Sequence, residues 1–269
     1  MKNNFEYITS RQNEKVKDFA RLSMSKYREE KHLFLAEGVK LAAEACSAGA
    51  VSALLVAESA RERDEIKSLL DKCGDDVIQY ILADHVFEKV TTESAPQGVI
   101  AVVRYPEGYG TESCDLDGRR VVALDGIRDP GNLGTIIRSA AALGYDDVIL
   151  GDSADPFGTK AVRASMGALF KVRLVKCGNL AEYLKKLSAS RRVIGAALRD
   201  DSEDFTSIEL LDSDIPVIGN EGHGISEDVT SSCSMFVKIP MSEGSESLNA
   251  SVAASVIMWE YSKNRQSII

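Results

Sequence analysis

The chain has 269 residues and a hydrophobic content of 44%, which is enough to bury sizeable cores and is comfortable for two domains. Its 32 Lys and Arg against 41 Asp and Glu give a formal net charge of −9, and this total disfavours nucleic-acid binding, which depends on cations that displace phosphate counterions. No apolar run approaches the roughly 18 residues of a membrane span. Five cysteines without CxxC spacing favour reduced thiols in a cytoplasmic protein over a disulfide or zinc framework, so we expect neither a membrane partner nor a metal.

The positive charge is concentrated near the start of the chain. Residues 1–40 hold nine Lys and Arg against six Asp and Glu, a local excess of three. Apolar spacing over 12–30 predicts one amphipathic helix. Its predicted core face carries Val16, Phe19, Ala20 and Leu22, and its other faces carry Lys15, Lys17, Arg21, Lys26 and Arg28. We predict that Lys15, Lys17 and Arg21 contact RNA; the alternative is an ordinary solvated face.

Strands and helices alternate through the rest of the first hundred residues, which predicts a small α/β domain. The predicted elements are a strand at 32–36, a helix at 39–48, a strand at 53–57, a charged helix at 61–72, and strands at 77–82 and 99–104. The polar, Gly-rich stretch that follows is typical of a linker. The predicted organisation is therefore a first domain over 1–105, a linker over 106–118 and a second domain over 119–269.

The second domain is also predicted to be α/β. Its predicted strands lie at 121–126, 148–150, 172–175, 193–197, 216–219 and 236–239, and its helices at 135–144, 159–167, 180–187 and 247–260, with Ser226 capping a further short helix. Ser247 and Asn249 are expected to cap the last helix, which is apolar nearly all round and should be buried on more than one side.

Three loops rich in glycine and asparagine lie at the ends of predicted strands. Their sequences are DPGNLG, GNEGHG and SEGSESLN. Because ligands sit at the carboxyl ends of strands in open parallel sheets, we expect these loops to line one pocket with backbone donors. The sequence has no GxxxxGK[ST] or GxSxG motif, so phosphate-loop and hydrolase interpretations lack their signatures.

The segments NLGTIIRSA, VIGNEGHGIS and IPMSEGSESLNASVAASV resemble, in order, the three motifs of the SpoU (TrmH) family of RNA 2′-O-ribose methyltransferases. The resemblance is close over residues 119–269. Residues 1–105 resemble more loosely the small RNA-binding domain of rRNA-directed members. The resemblance implies an α/β catalytic domain with a deep trefoil knot, S-adenosylmethionine as methyl donor and an obligate homodimer, and with the first domain it leads us to expect 23S rRNA as the substrate.

The resemblance also assigns roles to individual residues. It places Arg138 beside the 2′-oxygen; since a guanidinium loses its proton only with great difficulty, we expect an electrostatic role and not that of a base. Glu221 is expected to orient Arg138 or to take the proton through water. Asn132, Ser247 and Asn249 are expected to fix substrate and loop geometry; the alternative for each is capping or loop stability, which would explain Ser247 and Asn249 nearly as well. The residues expected to hold the cofactor are Gly219, Ile239, Met241 and Leu248.

Other activities remain compatible with the sequence. One is a paralogue that keeps the fold and binds RNA without methylating it. Others are a tRNA ribose methyltransferase, or a base methyltransferase that acts on tRNA with the same fold. The intact Asn132, Arg138 and Asn249 favour catalysis, and the first domain favours rRNA.

Overall fold

The computed structural model of the chain describes residues 5–74, 76–110, 116–242 and 247–263. In chain order its elements are β1 (Phe5–Ile8), α1 (Glu14–Arg21), α2 (Ser25–Lys31), β2 (Leu33–Glu37), α3 (Val39–Ser47), β3 (Val51–Ala57), α4 (Asp64–Lys72), β4 (Ile78–Leu82), α5 (Asp84–Phe87), β5 (Val99–Arg104), β6 (Val121–Asp125), α6 (Pro130–Ala142), β7 (Asp147–Gly151), α7 (Thr159–Ser165), β8 (Arg173–Cys177), α8 (Leu180–Leu187), β9 (Val193–Ala196), β10 (Glu203–Asp204), β11 (Ile215–Ile218), α9 (Glu227–Thr230), β12 (Met235–Lys238) and α10 (Ala250–Lys263).

The chain divides into two compact units. Unit 1 is formed by residues 1–107 and 155–170, and unit 2 by residues 108–154 and 171–269. The division after residue 107 falls inside the predicted linker, of which residues 111–115 lie outside the described part of the chain. Residues 155–170 differ from the sequence expectation, because they pack with unit 1 although the sequence places them in the second domain.

Unit 1 is built on a five-stranded mixed sheet in the order β1-β4-β3-β5-β2. Only β5 runs antiparallel to its neighbours, so the other four strands end at the same edge. Residues 155–170 complete its core through Phe157, which is fully buried. Its ring lies 4.9 Å from that of Phe34 and 4.1 Å from that of Tyr105, measured between centroids.

The segment 12–30 forms two helices, α1 and α2, and not the single helix that was predicted. Val16 and Leu22 are buried as expected, but so is Arg28, which the sequence placed outside the core. Its Nη1 donates hydrogen bonds of 2.8 Å to the carbonyl oxygens of Leu22 and Ser23, and its guanidinium forms an ion pair with Asp155. The break between α1 and α2 therefore supplies the acceptors that a buried guanidinium requires.

The cysteines also differ from the expectation of reduced thiols. Cys46, near the end of α3, and Cys73, directly after α4, are joined by a disulfide bond across 27 residues of sequence. Cys177 and Cys233 form no disulfide bond within the described residues, and Cys114 lies outside them. A pairing of this kind depends on the packing of two helices, so spacing along the sequence does not reveal it.

Unit 2 contains a seven-stranded, all-parallel sheet in the order β10-β12-β9-β11-β6-β7-β8. The central strands β11, β6 and β7 are buried along their whole length, as strands covered on both faces must be. At the start of β7, the fully buried Asp147 pairs with Arg119 and Arg173, each at a closest N–O distance of 2.6 Å. Helix α10 packs against α6 and β11.

Two properties of the described residues bear on membrane and metal partners. None of the helices in the described ranges is both long and apolar enough to cross a bilayer. The same ranges contain no group of three or more His, Cys, Asp or Glu side chains arranged to hold a metal ion.

Candidate active site

A cavity of about 600 Å³ opens at the carboxyl ends of β9, β11 and β12. This volume lies in the range of cofactor and ligand pockets. The lining includes all four residues predicted to hold a cofactor, Gly219, Ile239, Met241 and Leu248, together with Ser247. Residues 243–246 of the third Gly-rich loop lie outside the described part of the chain. The described parts of the second and third loops thus line one pocket, as their strand-end positions predict.

Gly219 leaves β11 where two backbone segments nearly touch. A Cβ at this position would lie 2.3 Å from the carbonyl carbon of Gly224 and 2.4 Å from the backbone nitrogen of Ile225. Real Cβ atoms do not approach backbone this closely, so only glycine allows the wall of the cavity to fold in this way.

The turn after Gly219 is held by Asn220. Its backbone exchanges two hydrogen bonds with Gly224, of 2.8 and 3.0 Å. Its side-chain oxygen accepts from the backbone N–H groups of Gly222 and His223, and its Nδ2 donates to the carbonyl of Gly126 at 2.7 Å. The side chain therefore ties the second Gly-rich loop to the end of β6 and aims Glu221 outward.

The first loop is helical earlier than the sequence predicted. Helix α6 begins at Pro130, with Asp129 as its N-cap accepting from the backbone N–H of Asn132 at 2.8 Å. Proline fits the first helical position because a backbone N–H at this position would have no acceptor within the helix. Asn132 and Gly134 therefore lie in the first turns of a helix and not in a loop.

Glu221 receives hydrogen bonds from this helix start. Its carboxylate accepts from Asn132 Nδ2 at 3.0 Å and from the backbone N–H groups of Arg128 and Asp129 at 3.3 and 3.4 Å. Burial raises the pKa of Glu221, but the bonds from Asn132 and from the backbone N–H groups lower it by more, so the pKa lies below its ordinary value. Glu221 is therefore a carboxylate at neutral pH and an acceptor only.

Asn132 connects Glu221 to the start of α10. While its Nδ2 donates to Glu221, its Oδ1 accepts from Asn249 Nδ2 at 3.1 Å. Asn249 Oδ1 in turn accepts from the backbone N–H and the hydroxyl of Ser251, at 2.9 and 2.7 Å. Asn249 thus caps α10 as predicted. The three predicted motifs meet in one chain of hydrogen bonds, with each amide held in a defined orientation.

The two other predicted caps make different contacts. Ser247 makes no side-chain hydrogen bond within the described residues, and it lines the cavity. Ser226 precedes α9 without a side-chain cap; its backbone N–H instead donates to Asp125 at 2.7 Å.

Arg138 lies in the second half of α6 and is exposed. Over the described ranges it forms no hydrogen bond or ion pair, and it is absent from the described lining of the cavity. Glu221 contacts Asn132 in place of Arg138, so the expected orientation of Arg138 by Glu221 is not present in this structure. The structure therefore brings together Asn132, Glu221 and Asn249 but leaves Arg138 apart from them.

The three cations predicted to contact RNA are each paired with a carboxylate. Lys15 lies 2.6 Å from Glu6, Lys17 lies 2.7 Å from Glu14, and Arg21 lies 3.4 Å from Asp18. Since these three carboxylates are already counted among the acidic residues of 1–40, the local excess of three positive charges remains, and RNA contact by Lys15, Lys17 and Arg21 stays a prediction.

Sequence reasoning missed the surroundings of Arg128. This residue follows β6, and its backbone lies beside Glu221 across the pairing of β6 with β11. Its guanidinium is exposed and forms an ion pair with Asp152, after β7. Arg128 is visible in the loop sequence IRDPGNLG, but its place beside Glu221 follows only from the strand order.

The cavity suits S-adenosylmethionine. The tight backbone at Gly219, with Ile239, Met241 and Leu248 nearby, provides backbone donors and acceptors and apolar walls for an adenosyl group, and Glu221 supplies negative charge at one side. When bound, this cofactor supplies an already activated methyl group.

Comparisons with known proteins agree with this geometry. Residues 119–259 match the SpoU rRNA Methylase family, and residues 13–101 match the MRM3-like substrate binding domain. The chain is 34% identical over 255 residues, 94% of this chain and 97% of the relative, to the 23S rRNA (guanosine(2553)-2′-O)-methyltransferase RlmP of Bacillus subtilis strain 168.

Two solved structures are similar over nearly the whole chain. An AdoMet-bound rRNA methyltransferase from Sinorhizobium meliloti superposes with a TM-score of 0.84 at 28% identity, covering 98% of this chain and all of that one. The SpoU methyltransferase AviRb from Streptomyces viridochromogenes, in complex with AdoMet, also gives 0.84 at 28% identity, covering 95% and 99%. Together with the predicted motifs and the cavity they line, these matches establish that the chain belongs to the SpoU rRNA methylase family.

Proposed function

We propose that this protein transfers a methyl group from S-adenosylmethionine to a ribose 2′-hydroxyl of 23S rRNA in the cytoplasm. As a SpoU family member it is an S-adenosylmethionine-dependent RNA 2′-O-methyltransferase. The observation that carries the proposal is the hydrogen-bonded set Glu221, Asn132 and Asn249 at the edge of the cavity. The name of the Bacillus relative supports 23S rRNA as the substrate.

The residues of this chain have to align a weak nucleophile with the methyl group and manage one proton. Gly219, Ile239, Met241 and Leu248 would hold the cofactor, and Ser247 lies beside them. Asn132 and Asn249, with their amides fixed, would hydrogen-bond the target ribose. Glu221 is ionised and accepts hydrogen bonds, so it would receive the hydroxyl proton directly or through a water molecule.

Arg138 would stabilise the negative charge that develops on the ribose oxygen. Its guanidinium is exposed and forms no ion pair in the described part of the chain, so no protein carboxylate in that part competes with a substrate for it. This assignment rests on the family resemblance together with the free state of the guanidinium.

We propose further that the protein acts as a homodimer and that unit 2 carries the trefoil knot of its family. Exposed apolar side chains at and before α10 support a dimer: Leu248, Val252 and Trp259 are 40%, 47% and 53% exposed. Apolar side chains grouped in this way are typical of an interface. The return of α10 onto α6 and β11, after the loop that follows β12, agrees with a knotted path.

Methyl transfer from radiolabelled cofactor to purified 23S rRNA, 16S rRNA and tRNA tests the proposal. Digestion with alkali identifies the atom, because a methylated 2′-oxygen cannot attack the adjacent phosphate and the labelled dinucleotide survives. We expect alkali-resistant label in 23S rRNA alone. Label on a base, or in tRNA, would support one of the alternative methyltransferases, and cofactor binding without transfer to any RNA would support a non-catalytic RNA-binding protein.

A further inference from the structure

Arg128 is a cation beside the proposed reaction centre that the mechanism leaves without a role. Its backbone N–H donates to Glu221 at 3.3 Å, so it adjoins a residue that lines the cavity. Its side chain forms an ion pair with Asp152, directly after the neighbouring strand β7. Arg128 therefore lies one strand further along the sheet edge than Glu221.

The backbone that leads into Arg128 is held by hydrogen bonds of Gly126 and Ile127. Gly126 N–H donates to the carbonyl of Gly151 at 2.8 Å, Ile127 N–H to Ser153 Oγ at 3.1 Å, and Ala154 N–H to the carbonyl of Ile127 at 2.8 Å. These bonds join the turns that follow β6 and β7. The side chain of Arg128 thus projects from a fixed platform, which lowers the ordering entropy that a ligand contact requires.

Arg128 can exchange its ion pair with Asp152 for a contact with another anion. The side chains of Arg128 and Asp152 are 60% and 82% exposed, and such surface pairs contribute little stability. A guanidinium binds phosphate as readily as carboxylate, through two parallel N–H donors. Asp152 would therefore hold Arg128 in position until a phosphate replaces it.

The strand order places the cavity, the proposed reaction centre and Arg128 in a line along one edge of the sheet. The cavity lies at the ends of β12, β9 and β11, the pair Glu221 and Asn132 bridges β11 and β6, and the pair Arg128 and Asp152 bridges β6 and β7. If the target ribose contacts Glu221 and Asn132, the RNA backbone that continues along this edge passes over Arg128. The phosphate next to the target ribose is then the first anionic group of the RNA that lies near the Arg128 guanidinium.

We propose that Arg128 binds a backbone phosphate of the substrate RNA adjacent to the target nucleotide, in exchange for its ion pair with Asp152; this inference rests on the proposed function. The contact is with the phosphate and not with a base, so it adds affinity and register without sequence preference. Arg128 is thus a substrate-positioning residue, distinct in place and role from Arg138.

The test measures RNA affinity against salt for Arg128→Gln, with the substrate rRNA fragment identified by the methylation assay. One lost phosphate contact lowers the slope of log affinity against log salt by about 0.7, which weakens binding about 5-fold at 0.1 M salt. We expect a matching rise in KM for RNA, with kcat at saturating RNA and cofactor affinity unchanged. Arg128→Lys should keep the slope and lose part of the affinity, and Asp152→Asn should tighten binding by removing a competing negative charge.

Lys186→Gln is the matched control, because it removes one exposed positive charge from α8 and should leave the slope unchanged. If wild-type protein methylates the fragment and Arg128→Gln has the same slope and KM, the inference is wrong while the proposed function stands. If wild-type protein binds no RNA, both are wrong. If Asp152→Asn weakens binding as much as Arg128→Gln does, the pair has only a structural role and the inference is likewise overturned.

Discussion

Replacing Gly219 with alanine should close or distort the cofactor cavity. The added Cβ would lie 2.3 to 2.5 Å from three backbone atoms of Gly224 and Ile225, about 1 Å inside ordinary van der Waals contact. Backbone cannot rotate away as a long side chain can. Relief requires the segment 224–225 to move, and that segment is held by the two hydrogen bonds between Asn220 and Gly224.

The structure sets the size of this effect. Each of the two hydrogen bonds contributes about 1 kcal/mol net, and overpacking in a closely packed site costs about 1–3 kcal/mol. A total of about 3–5 kcal/mol corresponds to a loss of about 150- to 5,000-fold in affinity for S-adenosylmethionine. Gly222→Ala is the matched control in the same turn, because the nearest atom to its added Cβ is Asn220 Oδ1 at 3.6 Å, an ordinary contact.

Calorimetric titration with S-adenosylhomocysteine, together with urea unfolding of both variants, measures the effect. We expect Gly219→Ala to lose affinity, stability or both by the stated amount, while Gly222→Ala remains close to wild type in both. Wild-type affinity and stability in Gly219→Ala would show that the turn is not held as described. An equal loss in both variants would show that the turn is sensitive to any added methyl group.

Three further predictions concern the charged residues. Arg138→Ala should slow single-turnover methylation by about two orders of magnitude and leave cofactor affinity intact, and Arg138→Lys should be nearly as slow. Activity that recovers at high pH in the lysine variant would instead indicate that residue 138 acts as a base. Changing Lys15, Lys17 and Arg21 together to alanine should weaken RNA binding and lower its salt slope by about two units, at about 0.7 for each contact, because the surface pairs of these cations with carboxylates can open on RNA; an unaltered slope would mean that they form an ordinary solvated face. Because the pKa of Glu221 is lowered in the folded protein, the ionised carboxylate stabilises the fold at pH values above the ordinary carboxyl pKa range. This stabilisation is lost as the pH falls through the lowered pKa. The stability difference between wild type and Glu221→Gln in urea unfolding should therefore be present at pH 7 and shrink as the pH falls below the ordinary carboxyl range, and a difference that does not change with pH would refute the ionised state.

The order of the regular elements followed well from local pattern. The strand at 99–104 and the helix at 180–187 have the predicted bounds, because breakers flank the first and Asn179 caps the second. Local pattern failed where a distant partner decides the structure. Nothing near Arg28 in sequence predicts its burial, because the carboxylate that pairs with it is Asp155.

The sequence predicted which residues belong to the candidate site but not which of them contact one another. The strand-end rule identified the second and third Gly-rich loops, whose described parts line the cavity, whereas the family resemblance identified Gly219, Ile239, Met241 and Leu248 in that lining. The bond between Asn132 and Glu221 requires β6 and β11 to be neighbours, and strand order is a property of the whole sheet. On α1, by contrast, the pairs of Lys17 with Glu14 and Arg21 with Asp18 join residues three positions apart, so these ion pairs could have been predicted from the sequence.

The passage of residues 155–170 into unit 1 constrains how the protein can mature on the ribosome. The core around Phe34 is complete only when Phe157 and Phe170 are in place, and by then β6, α6 and β7 have already been synthesised. Many amino-terminal domains fold before the next domain emerges from the ribosome. Unit 1 therefore differs, because it cannot complete its fold before β6, α6 and β7 have been synthesised. A fragment cut at the linker would expose the rings of Phe34 and Tyr105 and tend to aggregate, so the first unit should be expressed only within the full-length chain.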